Sequence, residues 1–420
     1  MTIYRVRPGD TIASVACRHA ILPTALAAEN GLAVDAPLIE GQALLVSPAS
    51  RTYHTKEGDT LAGIARHRGI SLARLRQLNP TLDGENALYP GMTLTLEKAT
   101  PPRGTLAVTG VAASNTPPEA LRPVLPYLTF LAVAACRVDG EGRLSPPEDG
   151  AVVAAARAAG VVPLLILRAE GATGGEEAAV CRALFSEPRR WERMMEALAA
   201  LLCRRGYGGI FLDLPFLSPE NADAFLRLLI CLRRRLGHSL LVTVNHTPKN
   251  GKEEALPPLP LASLGRAAGA LSLATYDFPT GHGVPAPHAP YGRVKEAAEA
   301  AACDVRPQKL FLGISTKAYD YPLEGGAPTV LPAADIPSLA GAAGRTIGYD
   351  PAAHLPYLSY QGQEGERILF FEDAWSLWEK LLLVDDLNLG GVTLYPAVNV
   401  ATPLLLTLAS AFRIVKCHGE

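Results

Sequence analysis

Only 6% of the residues are aromatic, the net charge is −2, and no apolar run in the chain approaches the length of a membrane-spanning helix. Each shortage excludes something. A balance of 39 basic against 41 acidic residues leaves no positive field of the kind that holds a nucleic-acid backbone. Without an apolar stretch of about 20 residues there is no membrane span. The polar start, with Gly9-Asp10 inside the first ten residues, does not read as a secretory signal, so the expectation is a chain made in the cytosol. The seven cysteines (Cys17, Cys136, Cys181, Cys203, Cys231, Cys303 and Cys417) are odd in number and widely spaced, which argues against a disulfide framework and for buried free thiols, with Cys417 exposed in a polar tail. His246, His282 and His288 lack zinc-ligand spacing, the glycines from Gly171 to Gly175 are not followed by Lys-Ser/Thr, and the serines lack a nucleophile elbow. No metal and no cofactor is expected.

What is present is a repeat. Tyr4, Gly9-Asp10-Thr11 and Asn30 return at an offset of 49 as Tyr53, Gly58-Asp59-Thr60 and Asn79, and the closing Gly41 returns as Gly91. A register held this well marks one folding unit used twice. Each copy reads as strand, helix, helix, strand: a β-prone run, a Gly-Asp turn whose Asp is expected to cap the next helix, apolar residues at helical spacing (Ile12, Val15, Ala16; Leu61, Ile64, Ala65), and a closing strand after the glycine. The units span 1–48 and 51–97, and the Pro-Pro segment 98–104 is expected to be a stiff, extended spacer.

Beyond 104 the pattern changes to short apolar runs alternating with amphipathic helices. The runs begin at Leu106, Leu128, Val161, Gly209, Leu240, Leu271, Leu310 and Gly391, and continuous apolar runs suit strands buried on both faces of a parallel sheet. Trp191, Met194, Met195, Leu198, Leu201 and Leu202 share one helical face, with Gly206 stopping that helix; Trp375, Trp378, Leu381 and Leu382 share another, a spacing that suits packing better than sugar stacking. Eight such strand-helix units predict an α/β fold, a (β/α)8 TIM barrel over 105–420 with its site at the C-terminal strand ends. The long interval 316–370 predicts a small insertion between strands seven and eight.

The two repeats resemble LysM modules: Gly-Asp-Thr after a Tyr-bearing strand, an Asn ending the second helix, and a glycine before the last strand, matched in order twice over residues 1–97. The resemblance implies binding of peptidoglycan or another N-acetylglucosamine glycan, through Gly9, Asp10, Thr11 and Asn30 in the first unit and Gly58, Asp59, Thr60 and Asn79 in the second. Two weak sites on one polymer act at high effective concentration. The stretch Gly206-Tyr207-Gly208-Gly209-Ile210-Phe211-Leu212-Asp213-Leu214-Pro215 is similar to the signature of glycoside hydrolase family 18. Asn115-Thr116-Pro117, Thr275-Tyr276-Asp277 and Leu389-Gly390-Gly391-Val392 extend the likeness toward the spore cortex-lytic N-acetylglucosaminidases of endospore-forming bacteria. It implies a spore-associated protein, with spore coat or cortex proteins as further partners.

In that family a Glu protonates the leaving sugar oxygen, while an Asp two residues earlier holds the substrate's own N-acetyl group for attack on the anomeric carbon. Here the Asp is present as Asp213, but the acid position is Pro215, which has no proton to give. Gly208 and Phe211 replace the signature's upstream polar positions, and Tyr395 stands where the family has a Trp floor. Tyr276 matches the tyrosine that binds the N-acetyl group, followed by Asp277 in place of a Glu. The resemblance therefore implies a peptidoglycan-binding protein whose barrel has lost hydrolysis and either binds glycan weakly or scaffolds other spore proteins. The alternative is an N-acetylglucosaminidase working with a non-standard acid, and residue 215 separates the two.

Overall fold

The computed structural model describes residues 1–79, 82, 88–213, 222–236, 240–244, 261–276, 278 and 284–416. Within them the eight parallel strands Thr105–Ala113, Phe130–Val138, Val162–Ala169, Gly209–Asp213, Leu240–Val244, Ala270–Leu273, Leu310–Ser315 and Gly391–Tyr395 pair in ring order, the last closing on the first. A closed ring of parallel strands leaves no edge, and one apolar layer fills its interior. Val162, Leu164, Ile166, Phe211, Leu241 and Phe311 form that layer, while the outward residues pack under the helices. The fold is the (β/α)8 barrel expected from the sequence.

Helix boundaries follow local chemistry. The helix Pro188–Arg205 buries Met194, Met195, Leu198, Leu201 and Leu202 and ends at Gly206, whose φ of +75° is the left-handed conformation that glycine adopts without cost. The helix Ala374–Asp386 starts at Asp373, whose side chain accepts from the Ser376 N–H while the Ser376 hydroxyl accepts from the Asp373 N–H. Its Trp375 and Trp378 are half-buried against the core, as their spacing suggested. Between strands seven and eight, the insertion is a five-stranded antiparallel sheet in the order 329–332, 317–322, 365–370, 355–362, 348–350, with the helix Ile336–Ala342 packed on it.

Each N-terminal unit has the expected strand-helix-helix-strand order, but the two dock differently. In the first, Tyr4, Val6, Leu44 and Val46 face the unit's own helices, while Ile3, Ala43 and Leu45 on the opposite face join the barrel's main core. Both faces of its two-stranded sheet are thus buried, which is why the closing strand reads Ala43-Leu44-Leu45-Val46 without a polar residue. The second unit's closing strand, Thr93–Lys98, alternates instead and leaves one face open. That unit docks through its second helix, Leu72–Leu78: Arg74 donates to the Ala409 carbonyl at 2.8 Å and Gln77 to the Pro126 carbonyl at 2.9 Å.

The segment 98–104 bends at 99–100 and 103–104 and is tied to the rest of the chain. Lys98 lies at the end of a strand with its ammonium buried against Glu29 and the Ser47 carbonyl, and Arg103 pairs with Asp385 at 2.7 Å. Of the cysteines, Cys136 and Cys181 are buried, whereas Cys17, Cys203 and Cys303 are exposed, so the expectation of buried thiols holds for only some; Cys417 lies outside the described residues. Among the described residues no helix is long and apolar enough to cross a membrane, and no group of three or more His, Cys, Asp or Glu is placed to hold a metal.

Candidate functional site

Asp213 is the last residue of the fourth barrel strand and points to the mouth two residues beyond Phe211, whose ring is buried in the barrel interior. That apolar neighbour and the surrounding strands strip water from the carboxylate. Burial pushes the Asp213 carboxyl above its ordinary range; Arg168 opposes the shift and Glu177 adds to it. Arg168 comes from the third strand, in register with Asp213, and its Nε lies 3.4 Å from Asp213 Oδ2. The same guanidinium reaches Glu177 Oε1 at 3.4 Å, on the first turn of the helix Gly174–Ser186. Asp213 is therefore one end of a carboxylate-guanidinium-carboxylate row.

The upstream departures have structural counterparts. A Cβ at Gly208 would lie 2.4 Å from Val162 Cγ1, so any larger residue there displaces the third strand's side chain. Phe211 is one of the largest residues in the interior layer, occupying volume that a polar residue would leave wet.

Tyr276 and Tyr395 are brought together from the sixth and eighth strands: their rings stack with centroids 5.0 Å apart and planes 17° apart. The Lys317 ammonium sits 4.5 Å from the Tyr395 centroid. Eight strands in a ring put the fourth and the eighth opposite each other, so Asp213 and Tyr395 end opposed strands while Tyr276 follows the sixth. Pro215 and Asp277 lie outside the described residues. Sequence reasoning missed Arg168, Glu177 and Lys317. The signal for Arg168 was available, since aligning the ends of two adjacent apolar runs sets a basic residue beside the acidic one.

In the N-terminal units, the aspartates are not the helix caps. The caps are Thr11 and Thr60, whose hydroxyls accept from the Ser14 and Gly63 N–H groups. Asp10 instead accepts from Tyr4 O–H at 2.6 Å and from the Arg7 N–H at 2.9 Å, and Asp59 does the same with Tyr53 at 2.8 Å and Lys56 at 2.7 Å. Each Asp ties the turn back to the first strand, a task its longer reach to a tyrosine hydroxyl permits. Arg18 holds the Asp10 carboxyl down at about 2.

Asn30 and Asn79 are likewise spent inside the units. The Asn30 amide donates to the Leu26 and Leu45 carbonyls and accepts from the Leu45 N–H, and Asn79 repeats this with Leu75 and Thr95. Three bonds from one buried side chain clamp the second helix to the closing strand. Asn79→Ala is expected to lower the stability of the second unit by about 2–3 kcal/mol, because two carbonyls and an N–H lose their partner; faster amide hydrogen exchange confined to residues 51–97 would report it. Gly9, Thr11, Gly58 and Thr60 are exposed. Beside the second loop is a hollow of about 380 Å³ lined by Tyr53, Asp59, Thr60, Gly63, His67 and Arg68. In the first unit Arg18 takes the position of His67, bonding to Asp10 at 3.0 Å and to the Tyr4 hydroxyl.

A closed (β/α)8 barrel with an acidic residue at the end of its fourth strand, preceded by two small glycan-module folds, defines the class: a modular protein on a glycosidase scaffold. The chain belongs to the Glycosyl hydrolases family 18, matched over residues 174–398, and carries two LysM domains, matched over 4–47 and 53–97. It is 27% identical to the cortical fragment-lytic enzyme of Bacillus anthracis, with 93% of this chain and 94% of that one covered. It is 27% identical to the enzyme of the same name from Bacillus subtilis, with 73% of each covered. The solved structure of the Bacillus cereus spore cortex-lytic enzyme SleL superposes with a TM-score of 0.79 at 24% identity, covering 99% of both chains, a likeness of fold. LysM domains together with a family 18 barrel support a peptidoglycan-binding or glycosidase function.

Proposed function

We propose that this chain is a peptidoglycan-binding protein of the spore or cell wall whose family 18 barrel has lost hydrolysis. The observation that carries the reading is residue 215: the signature runs to Asp213 and then offers proline where the general acid belongs. A positioned general acid contributes about 10²–10⁴-fold, and a sugar alkoxide, as a poor leaving group, needs it most. Asp213, which would hold the substrate's acetamido group, is turned to Arg168.

On this reading, binding rests with the LysM domains, assigned to 1–48 and 51–97, through the loops at Gly9, Asp10 and Thr11 and at Gly58, Asp59 and Thr60, with Asn30 and Asn79 supporting the loops rather than touching sugar. Tyr276, Asp277, Tyr395 and Asp213 mark the remnant site of the barrel, 105–420. The relatives named for cortical fragment lysis favour placement at the spore cortex or coat.

The test is turnover by the purified chain. Incubation with muropeptides or N-acetylglucosamine oligosaccharides is expected to release no product above a heat-treated control, while the chain pellets with purified peptidoglycan. Release that disappears in Asp213→Ala would replace this reading with an N-acetylglucosaminidase using an unorthodox acid, for which the raised Asp213 carboxyl is the feature to pursue.

The Arg168–Asp213 pair also carries a pH dependence. Because burial raises the folded-state Asp213 pKa, the folded chain holds this proton more tightly than the unfolded chain does. The carboxylate therefore costs stability above the raised value, and the cost fades as pH falls toward the unfolded value of about 3.9. Asp213→Asn is expected to raise the melting temperature at pH 7, with Glu177 still pairing Arg168, and the gain should vanish near pH 4. A gain independent of pH would contradict the assignment.

A further inference from the structure

We infer that the cleft between the first LysM domain and the barrel is a saccharide site of its own, taking an N-acetylamino sugar segment of the polymer that the domain loops hold. The inference rests on the glycan-binding reading above and adds a place the family resemblance does not assign. The cleft is an open hollow of about 500 Å³, a volume in the range of small-ligand sites, and lies where such sites concentrate, at a domain boundary.

Its two walls come from parts of the chain more than 300 residues apart. One is the strand of the first domain with Tyr4, Arg5 and Arg7; the other is Thr346, Ile347 and Trp375 of the insertion and the following helix. The walls are locked together. Ile347 N–H donates to the Glu40 carbonyl at 2.9 Å, and Gly41 stands so close that a Cβ there would lie 1.8 Å from the Ile347 carbonyl oxygen. Arg5 forms the floor, with its guanidinium 4.1 Å from the Tyr349 ring centroid and 5.3 Å from that of Trp375. The cleft is thus built before any ligand arrives, which lowers the ordering cost of binding.

The chemistry of the lining suits an acetamido sugar. Half-buried Trp375 offers apolar surface for a pyranose face or an acetyl methyl. At the rim Arg7, Glu40 and Thr346 are exposed, and among the described residues neither the Arg7 guanidinium nor the Glu40 carboxylate has an ion-pair partner. An exposed donor and an exposed acceptor of opposite charge at one rim match sugar hydroxyls, which both give and take hydrogen bonds. Pro8 on the lining leads directly into Gly9-Asp10-Thr11, so the cleft adjoins the loop of the first domain.

Trp375 is one of three tryptophans, so Trp191→Phe/Trp378→Phe leaves it as the sole indole reporter in the full chain. Titration with N-acetylglucosamine tetrasaccharide is expected to shift its emission saturably. Adding Arg7→Ala/Glu40→Ala should weaken the response about tenfold, the equivalent of one charge-assisted hydrogen bond. Calorimetry on the otherwise unaltered chain gives a second readout: Arg7→Ala/Glu40→Ala should remove one bound tetrasaccharide. A chain that pellets with peptidoglycan while Trp375 stays silent and the stoichiometry is unmoved overturns the cleft and spares the glycan-binding reading. A chain that neither pellets nor titrates overturns both.

Discussion

Arg5→Ala should destabilise the barrel although Arg5 lies 100 residues before the first barrel strand begins. Its guanidinium is the cation facing Asp373, at 3.7 Å, and Asp373 is the N-cap of the helix Ala374–Asp386. Burial pushes the Asp373 carboxyl above its ordinary range, with Arg5 the first influence against the shift. Removing Arg5 leaves the buried Asp373 carboxylate without its cation, at a cost of about 1–3 kcal/mol, since Arg5 is partly exposed and Ser376 still donates to Asp373. The loss should depend on pH in a defined direction. With Arg5 gone the folded-state pKa of Asp373 rises further, so the penalty is largest above that value and shrinks as pH falls and the carboxyl takes up a proton. Denaturant midpoints of wild type and Arg5→Ala at pH 7 and pH 4.5 would show it: a wide gap at pH 7 that narrows at pH 4.5. An equal gap at both would mean that Arg5 acts through packing on Tyr349 and Trp375 alone.

The same contact changes how the LysM domains can be studied. Deleting residues 1–97 uncovers Ile3, Ala43 and Leu45's apolar bed in the barrel core and strands Lys98 without Glu29. A truncated barrel that fails to pellet with peptidoglycan could fail because it unfolds. Substitutions at the exposed loop residues Thr11 and Thr60 separate binding from stability, since losing a helix cap costs only about 1 kcal/mol.

Much of this architecture was legible in the sequence. The offset of 49 located the two domains, the eight apolar runs located the barrel, and Gly206 marked a helix end to the residue. These signals are local, and local chemistry decides them. The docking of the first domain was written in the contrast between Ala43-Leu44-Leu45-Val46 and Thr93-Leu94-Thr95-Leu96, two closing strands of one repeat that differ in whether the outer face is apolar. Reading it required knowing that the module's own helices cover only one face of its sheet.

Partnerships between distant residues were not legible. Nothing near Arg5 points to Asp373, and nothing near Glu29 points to Lys98. The capping expectation failed for a related reason: Asp10 and Thr11 are both competent caps, and the choice falls to Thr because the Tyr4 hydroxyl, six residues away in sequence, claims the aspartate. At the barrel mouth the sequence placed Asp213, Tyr276 and Tyr395 at strand ends, yet the row of Arg168 and Glu177 emerges only when the third and fourth strands are set in register.

Pro215→Glu is expected to leave hydrolysis undetectable, and the leaving group is the means of finding out why. A sugar alkoxide needs an acid to depart, whereas the phenolate of a 4-methylumbelliferyl glycoside departs without one. An enzyme lacking only its acid should therefore still cleave the aryl glycoside of an N-acetylglucosamine oligosaccharide, at a rate near that of active relatives, and fail on the natural polymer. An enzyme whose assisting machinery is also disabled should fail on both. The second outcome is the one expected here. Asp213 has to accept from the acetamido N–H for the carbonyl oxygen to attack, and its Oδ2 faces Arg168 at 3.4 Å. Phe211 fills the interior beneath it, Gly208 has no room for a side chain beside Val162, and Tyr395 is stacked on Tyr276 with Lys317 at its ring. Wild type and Pro215→Glu should both release no fluorophore. Fluorophore release by the wild type that Asp213→Asn abolishes would show the assisting site intact and reduce the loss to one residue. Cleavage of the unmodified oligosaccharide by the wild type would end the proposal that this barrel has stopped being an enzyme.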